Sequence, residues 1–251
     1  MESIDVLGCR IDAIDRQGAV ARVAELARGV PGSLVVTVGV EMVMYARHDA
    51  AFRAIVNGAA LNLCDTIGLL IASRVRRGPL RGRVTGVELT ADLAARSAEQ
   101  RDIRLYLLGG RGDTAARAGR VLQGRFPGAI VCGARDGFFA ESESDAVAAA
   151  IAASGANTLY VGMGSPKQER WFARYGAATG CGVGLGVGGS LDVLAGNVAR
   201  APRVVQRLGL EWAYRLAREP RRWRRQLALP RFVLAVVREI ATGAGTRRPT
   251  V

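Results

Sequence analysis

The sequence predicts an α/β fold: a Rossmann-like, mostly parallel sheet with helices on both faces, followed by a basic helical appendage. Three observations predict it. Apolar runs of strand length alternate with helical stretches from residue 34 to residue 188. Positive charge collects behind that alternation, where residues 200–251 hold 13 arginines against three glutamates. The 251 residues, 49% of them hydrophobic, suffice for one α/β domain with a full core and a small addition.

The elements follow in order. LVVTV (34–38) leads into the helical EMVMYARHDAAFRAIV, and ALNLC (60–64) into TIGLLIASRV. IRLYLLG (103–109) precedes DTAARAGRVLQGRF, and AIVCG (129–133) precedes SESDAVAAAIAAS. TLYVGMG (158–164) precedes PKQERWFARYGAA, and GVGLGVG (182–188) closes the series. Repetition of strand then helix implies a parallel sheet covered on both faces. Residues 1–198 therefore read as one domain and 199–251 as an appendage beginning near RAPRVV.

Composition excludes several classes. Four dispersed cysteines (Cys9, Cys64, Cys132, Cys181) and a single histidine, His48, provide no zinc-site spacing and fit buried reduced thiols. His48 reads as a surface residue of a helix. The N-terminus has early acids and no apolar signal-peptide core. No segment approaches the roughly 18 unbroken apolar residues of a membrane span. The formal net charge is +13, of which the appendage carries +10, so the body is nearly neutral. Nucleic-acid binding is not expected of such a body, which lacks a basic groove and a stacking platform.

Within the appendage, LEWAYRLAREPRRWRRQLALPRFVLAVV reads as short helices broken at Pro220 and Pro230. Trp212, Leu216, Trp223 and Leu227 fall on one side of a helical wheel and Arg215, Arg218, Arg221, Arg222 and Arg225 on the other. That pattern suits either an anionic membrane surface or simple packing with a solvated arginine face.

In open parallel sheets ligands bind beyond the carboxyl ends of the strands. The polar residues expected there are Thr37, Asp65, Gly109 and Gly110, Ser165 to Gln168, and Gly188 to Asp192. Asp65 ends an apolar strand and reads either as the N-cap of a helix near Ile67 or as a general base at the sheet rim. Ser165, Pro166 and Gln168 spell a capping box. That box leaves Lys167, the chain's one lysine, unexplained, because a cation at a helix N-terminus does nothing for the helix. Lys167 beside free N–H groups would suit a phosphate or diphosphate. GLGVGG (184–189) matches G-x-G-x-x-G but follows a late strand, so an NAD-dependent oxidoreductase is the weaker alternative, as is a non-catalytic membrane- or nucleic-acid-binding module.

The stretches TVGVEMVMYARHDAAFRAIVNGAALNLCD, RVTGVEL, VGMGSPKQERW, GVGGSLDVLAGNVARAP and LGLEWAYRLAREPRRWRRQLALPRF resemble the bacterial WecG/TagA/CpsF glycosyltransferases, glycosyltransferase family 26. The similarity runs from about Val6 to Phe232. It implies a metal-independent, inverting transfer from a UDP-sugar to a polyprenyl-diphosphate-linked sugar at the cytoplasmic membrane face, with no cofactor. The donor sugars implied are N-acetylmannosamine, its uronic acid or a hexose such as glucose, in cell-surface polysaccharide synthesis. The resemblance makes Asp65 the catalytic base and links Thr37, Arg83 and Gln168 to substrate binding. It implies that appendage arginines, for which Arg215, Arg222 and Arg225 are candidates, complete the site. Gly39 stands where the family's usual Asn would be, which puts the commonest donor in question. Homo-oligomerisation is left open.

Overall fold

The computed structural model describes residues 1–207, 210–218, 223 and 227–242, with the side chains of Arg203, Arg207 and Arg215 outside it. Six strands build the central sheet: β3 (Ser33–Val38), β4 (Leu61–Cys64), β5 (Arg104–Gly109), β6 (Ile130–Arg135), β7 (Thr158–Gly162) and β8 (Val183–Gly186). All neighbours run parallel, in the order β4-β3-β8-β7-β5-β6. All six segments expected from the apolar runs sit within about two residues of the expected bounds.

Alternation along each strand divides the core in two. Val36, Val38, Cys64, Leu108, Leu159 and Val161 face one layer, packed by α2 (Val40–Ala46), α3 (Ala50–Gly58), α4 (Ile67–Val75), α7 (Ser144–Ala153) and α8 (Lys167–Tyr175). Val35, Leu63, Leu105, Leu107, Tyr160 and Leu185 face the other, packed by α1 (Arg16–Ala27), α5 (Gly86–Gln100), α6 (Thr114–Arg125) and α9 (Ser190–Leu194). Buried apolar side chains on both faces of β3, β5 and β7 are what a covered parallel sheet demands.

The structure departs from the sequence reading in three places. Ser3–Val6 (β1) and Cys9–Asp12 (β2) form an antiparallel hairpin around Leu7 and Gly8, both at positive φ, which the sequence reading passed over. The stretch EMVMYARHDAAFRAIV is two helices, because the Asp49 carboxylate caps a new start by accepting from the Phe52 amide at 2.8 Å. His48 lies exposed in that break. Pro230 does not break a helix: it sits in the first turn of α12 (Ala228–Ala241), where a missing N–H costs nothing. Pro220 lies outside the described residues.

Beyond α9 the appendage runs through α10 (Arg203–Arg207) and α11 (Glu211–Arg218) to α12, which returns to the body. Phe232, Ala235 and Val236 of α12 are buried in the same core layer as α2 and α4. Among the described residues no helix is long and apolar enough to cross a membrane. Cys9, Cys64 and Cys181 are buried, Cys132 is half-buried, and all four are free thiols.

Candidate active site

Strand ends create the site. Beyond the carboxyl ends of β3, β4 and β8 opens a cleft of about 280 Å³. Thr37, Gly39, Asp65, Arg83, Ser165, Gln168 and Gly188 line it, which brings together residues from four strand-to-helix turns and, with Arg83, the loop between α4 and α5. This is the edge of an open parallel sheet at which strand order reverses, between β3 and β8.

Asp65 stands where β4 ends. Its backbone N–H donates to the Val38 carbonyl, continuing the ladder with β3, while its Oδ1 accepts from the Gly86 amide at 3.2 Å. The expected cap relation is thus made with a different helix: Asp65 holds the first residue of α5, and Thr66 is the N-cap of α4. The carboxylate remains partly exposed to the cleft. Burial and the adjacent Asp65 charge push the Cys64 thiol up to about 12, with Arg83 pulling the other way, so the carboxylate and the guanidinium act on one locality.

Arg83 is positioned by the appendage. One nitrogen pairs with Glu211 at 3.0 Å and another donates to the Gln206 carbonyl at 3.0 Å. Arg200, Glu211, Trp212 and Leu229, all from the appendage, line the same cleft. Arg200 is itself held at 3.2 Å by Glu88. The sequence reading missed Arg200 and Glu211 as site residues, and no local pattern marks them: Arg83 and Glu211 are 128 residues apart. Arg222 and Arg225 lie outside the described residues, as does the Arg215 side chain.

The capping box is not made. Pro166 is the N-cap of α8, without a side-chain cap bond. The buried Gln168 instead accepts through Oε1 from the backbone of Gly164 (3.2 Å) and Gly188 (3.1 Å), and its Nε2 donates to Glu169 at 2.6 Å. One side chain therefore ties the turn after β7 to the turn after β8. Thr37 makes a similar brace, donating its hydroxyl to the Gly186 carbonyl at 2.8 Å.

Glu169 is fully buried behind that brace, and burial raises its carboxyl above the ordinary 4.5 despite hydrogen bonds from Gln168 and Ser165. The folded protein therefore holds this proton more tightly than the unfolded chain. Its contribution to stability is largest in acid and declines as pH rises above 4.5 through the raised folded value. Glu169→Gln is expected to flatten this decline, as read from unfolding midpoints in denaturant across pH.

The remaining candidates lie apart from the cleft lining. Lys167 is exposed, donates to the Gly137 carbonyl at 3.3 Å and stands 5.4 Å from the centroid of Phe139. Gly109 and Gly110 join strand ends: the Gly110 amide donates to Gly162 O, and Gly110 O accepts from the Gly137 amide. Gly109 has φ +150°, and a Cβ there would lie 2.5 Å from the Gly162 backbone, so only glycine fits. Asp192 closes the turn after α9, accepting from the Asn197 side chain at 3.1 Å.

Two glycines of GLGVGG serve packing, while Gly188 and Gly189 face open space in the cleft lining. A side chain on Gly184 would overlap the Phe172 ring, and one on Gly186 would meet Gln168 Nε2 at 2.8 Å. Both positions are filled by side chains of α8. Among the described residues no group of three His, Cys, Asp or Glu side chains is arranged to hold a metal ion.

Comparison with known sequences places the chain in a family. The profile described as "Glycosyl transferase WecG/TagA/CpsF family" matches residues 4–245. An N-acetylglucosaminyldiphosphoundecaprenol N-acetyl-beta-D-mannosaminyltransferase of Bacillus spizizenii (strain W23) is 34% identical over 207 residues, covering 82% of this chain and 79% of the relative. The protein of the same description from Bacillus subtilis (strain 168) is 31% identical over 208 residues, covering 83% and 80%.

Proposed function

The chain belongs to the WecG/TagA/CpsF glycosyltransferase family, and from that premise we propose that it moves a sugar from a UDP-sugar to a polyprenyl-diphosphate-linked sugar, with inversion and without a metal ion. The acceptor class rests on the relatives, which are described as acting on N-acetylglucosaminyldiphosphoundecaprenol. The donor is N-acetylmannosamine, as the relatives' description suggests, its uronic acid, or a hexose. Gly39 at the cleft wall presents no side-chain amide to a donor sugar.

The observation that carries the reading is the Asp65 carboxylate at the rim of the cleft, with Arg83 acting on the same locality. Asp65 takes the proton of the acceptor hydroxyl as that oxygen bonds to the anomeric carbon. The bond from that carbon to UDP breaks on the opposite side, which inverts the configuration. Arg83 and Arg200 offer fixed positive charge to the departing diphosphate. The appendage contributes twice, by orienting Arg83 through Glu211 and by attaching the enzyme to the inner membrane face, where its substrate resides.

The test is a panel of UDP-sugars offered with a short-chain polyprenyl-diphosphate-linked N-acetylglucosamine, with and without EDTA. Transfer from one donor, undiminished by chelator, is expected. Transfer abolished by EDTA and restored by a divalent cation overturns the metal-free mechanism, and no transfer from any donor overturns the donor class.

A further inference from the structure

A second concavity lies on the body, away from the cleft, in the loop that joins α4 to α5. It has a volume of about 420 Å³ and is rimmed by Arg74, Arg77 and Arg81, with Glu2 as the one carboxylate in its lining. All three arginines are exposed, and among the described residues none of them makes an ion pair. Their neighbours behave differently: Arg76 pairs with Glu239, and Arg83 with Glu211. Three unneutralised guanidinium groups around one hollow form an anion site, since each offers a planar fork of donors suited to phosphate oxygens.

What flanks the hollow identifies the anion. On α4, Ile71 and Val75 are 51% and 62% exposed, one helical turn apart and beside Arg74. α12 lies alongside α4, with Phe232 against Gly68 and Glu239 bound to Arg76. Its outer face presents Val233, Leu234, Val237 and Ile240, each between 45% and 60% exposed. Exposed aliphatic side chains next to unpaired arginines match the boundary of an anionic bilayer, where apolar groups enter the acyl layer and cations meet phosphate. A second copy of this chain fits poorly. A two-fold interface sets the same patch against itself, which would bring unpaired arginines against arginines.

We propose that Arg74, Arg77 and Arg81 cradle the phosphate of an anionic phospholipid headgroup while the aliphatic faces of α4 and α12 enter the lipid surface. The proposal rests on the peripheral-membrane reading above and adds to it a contact in which the body, through α4 and its following loop, takes part beside the appendage helix α12. It also orients the enzyme. Arg81 and Arg83 are two residues apart, at most about 7 Å along the chain, so a headgroup held at Arg81 sets the mouth of the cleft at the bilayer.

The test is co-sedimentation of the full chain with vesicles of phosphatidylcholine, with and without phosphatidylglycerol, at low ionic strength. The variant Arg74→Ser/Arg77→Ser/Arg81→Ser is compared with the equal-charge control Arg101→Asn/Arg120→Ser/Arg125→Ser. At about 5-fold per arginine, the cradle variant is expected to lose on the order of 100-fold in partitioning to phosphatidylglycerol vesicles. Its transfer to a water-soluble short-chain acceptor should be unchanged, and the control should bind like wild type. If the cradle variant binds as wild type does, the cradle is wrong and attachment through the appendage stands. An equal loss in the control shows general charge attraction and overturns the cradle. Failure of wild type to bind anionic vesicles overturns the membrane reading itself. A wild-type dimer that the cradle variant abolishes, with vesicle binding intact, assigns the surface to a second copy and overturns the lipid site.

Discussion

Asp65→Asn is expected to reduce kcat by about 10²–10⁴-fold, the usual cost of losing a general base, with the KM for the donor changed little. The substitution is conservative for the fold. An asparagine carbonyl in place of Oδ1 can still accept from the Gly86 amide, so the start of α5 and the cleft wall are kept. What disappears is a group able to take the acceptor's proton. A thermal midpoint near that of wild type, together with the loss in turnover, separates chemistry from structure. Turnover near the wild-type value with the same UDP-sugar and lipid acceptor would show that another group takes the proton.

The largest effect on stability is expected at Phe172. This ring, 1% exposed, fills the space over the side-chain-free Gly184 and so fixes α8 against β8, and with it the Gln168 brace. Phe172→Ala should cost about 3–5 kcal/mol. For a chain of this size that is a fall of roughly 10 °C in Tm. The structure makes a sharper claim as well. Gly184→Ala overlaps the ring in the wild-type background and should destabilise, yet with Phe172→Ala the added methyl enters vacated space. The double variant is expected to be more stable than the sum of the single changes predicts. Additive melting data would show that Phe172 and Gly184 do not share that space.

Much of this molecule was legible in one dimension. The six strands and the sites to which they deliver polar residues follow from apolar period and chain direction, both local properties of the sequence. Thr37, Asp65 and Gln168 were found because a parallel sheet sends strand ends to one edge. Their partners were not. The capping-box reading of Ser165 and Gln168 failed because a local rule competed with a tertiary one. The Gln168 amide reaches Gly188, 20 residues on, and two turns gain a shared acceptor that a helix cap alone would not provide. The N-cap reading of Asp65 met the same fate, since its carboxylate holds α5 rather than the adjacent α4. Lys167, read as the cation of an anion site, turns toward Gly137 and Phe139.

By itself the sequence determined the fold class, the edge of the sheet to which the strands deliver their polar residues, and the concentration of positive charge after residue 199. These depend on periodicity and composition, which neighbouring residues express without help. Only the tertiary structure decided that the appendage folds back, that Glu211 holds Arg83, and that Arg74, Arg77 and Arg81 surround one hollow without an ion pair among the described residues. Ion pairs and cavities arise between residues distant in the chain, and their energies depend on separation and burial in space, quantities that no local pattern encodes.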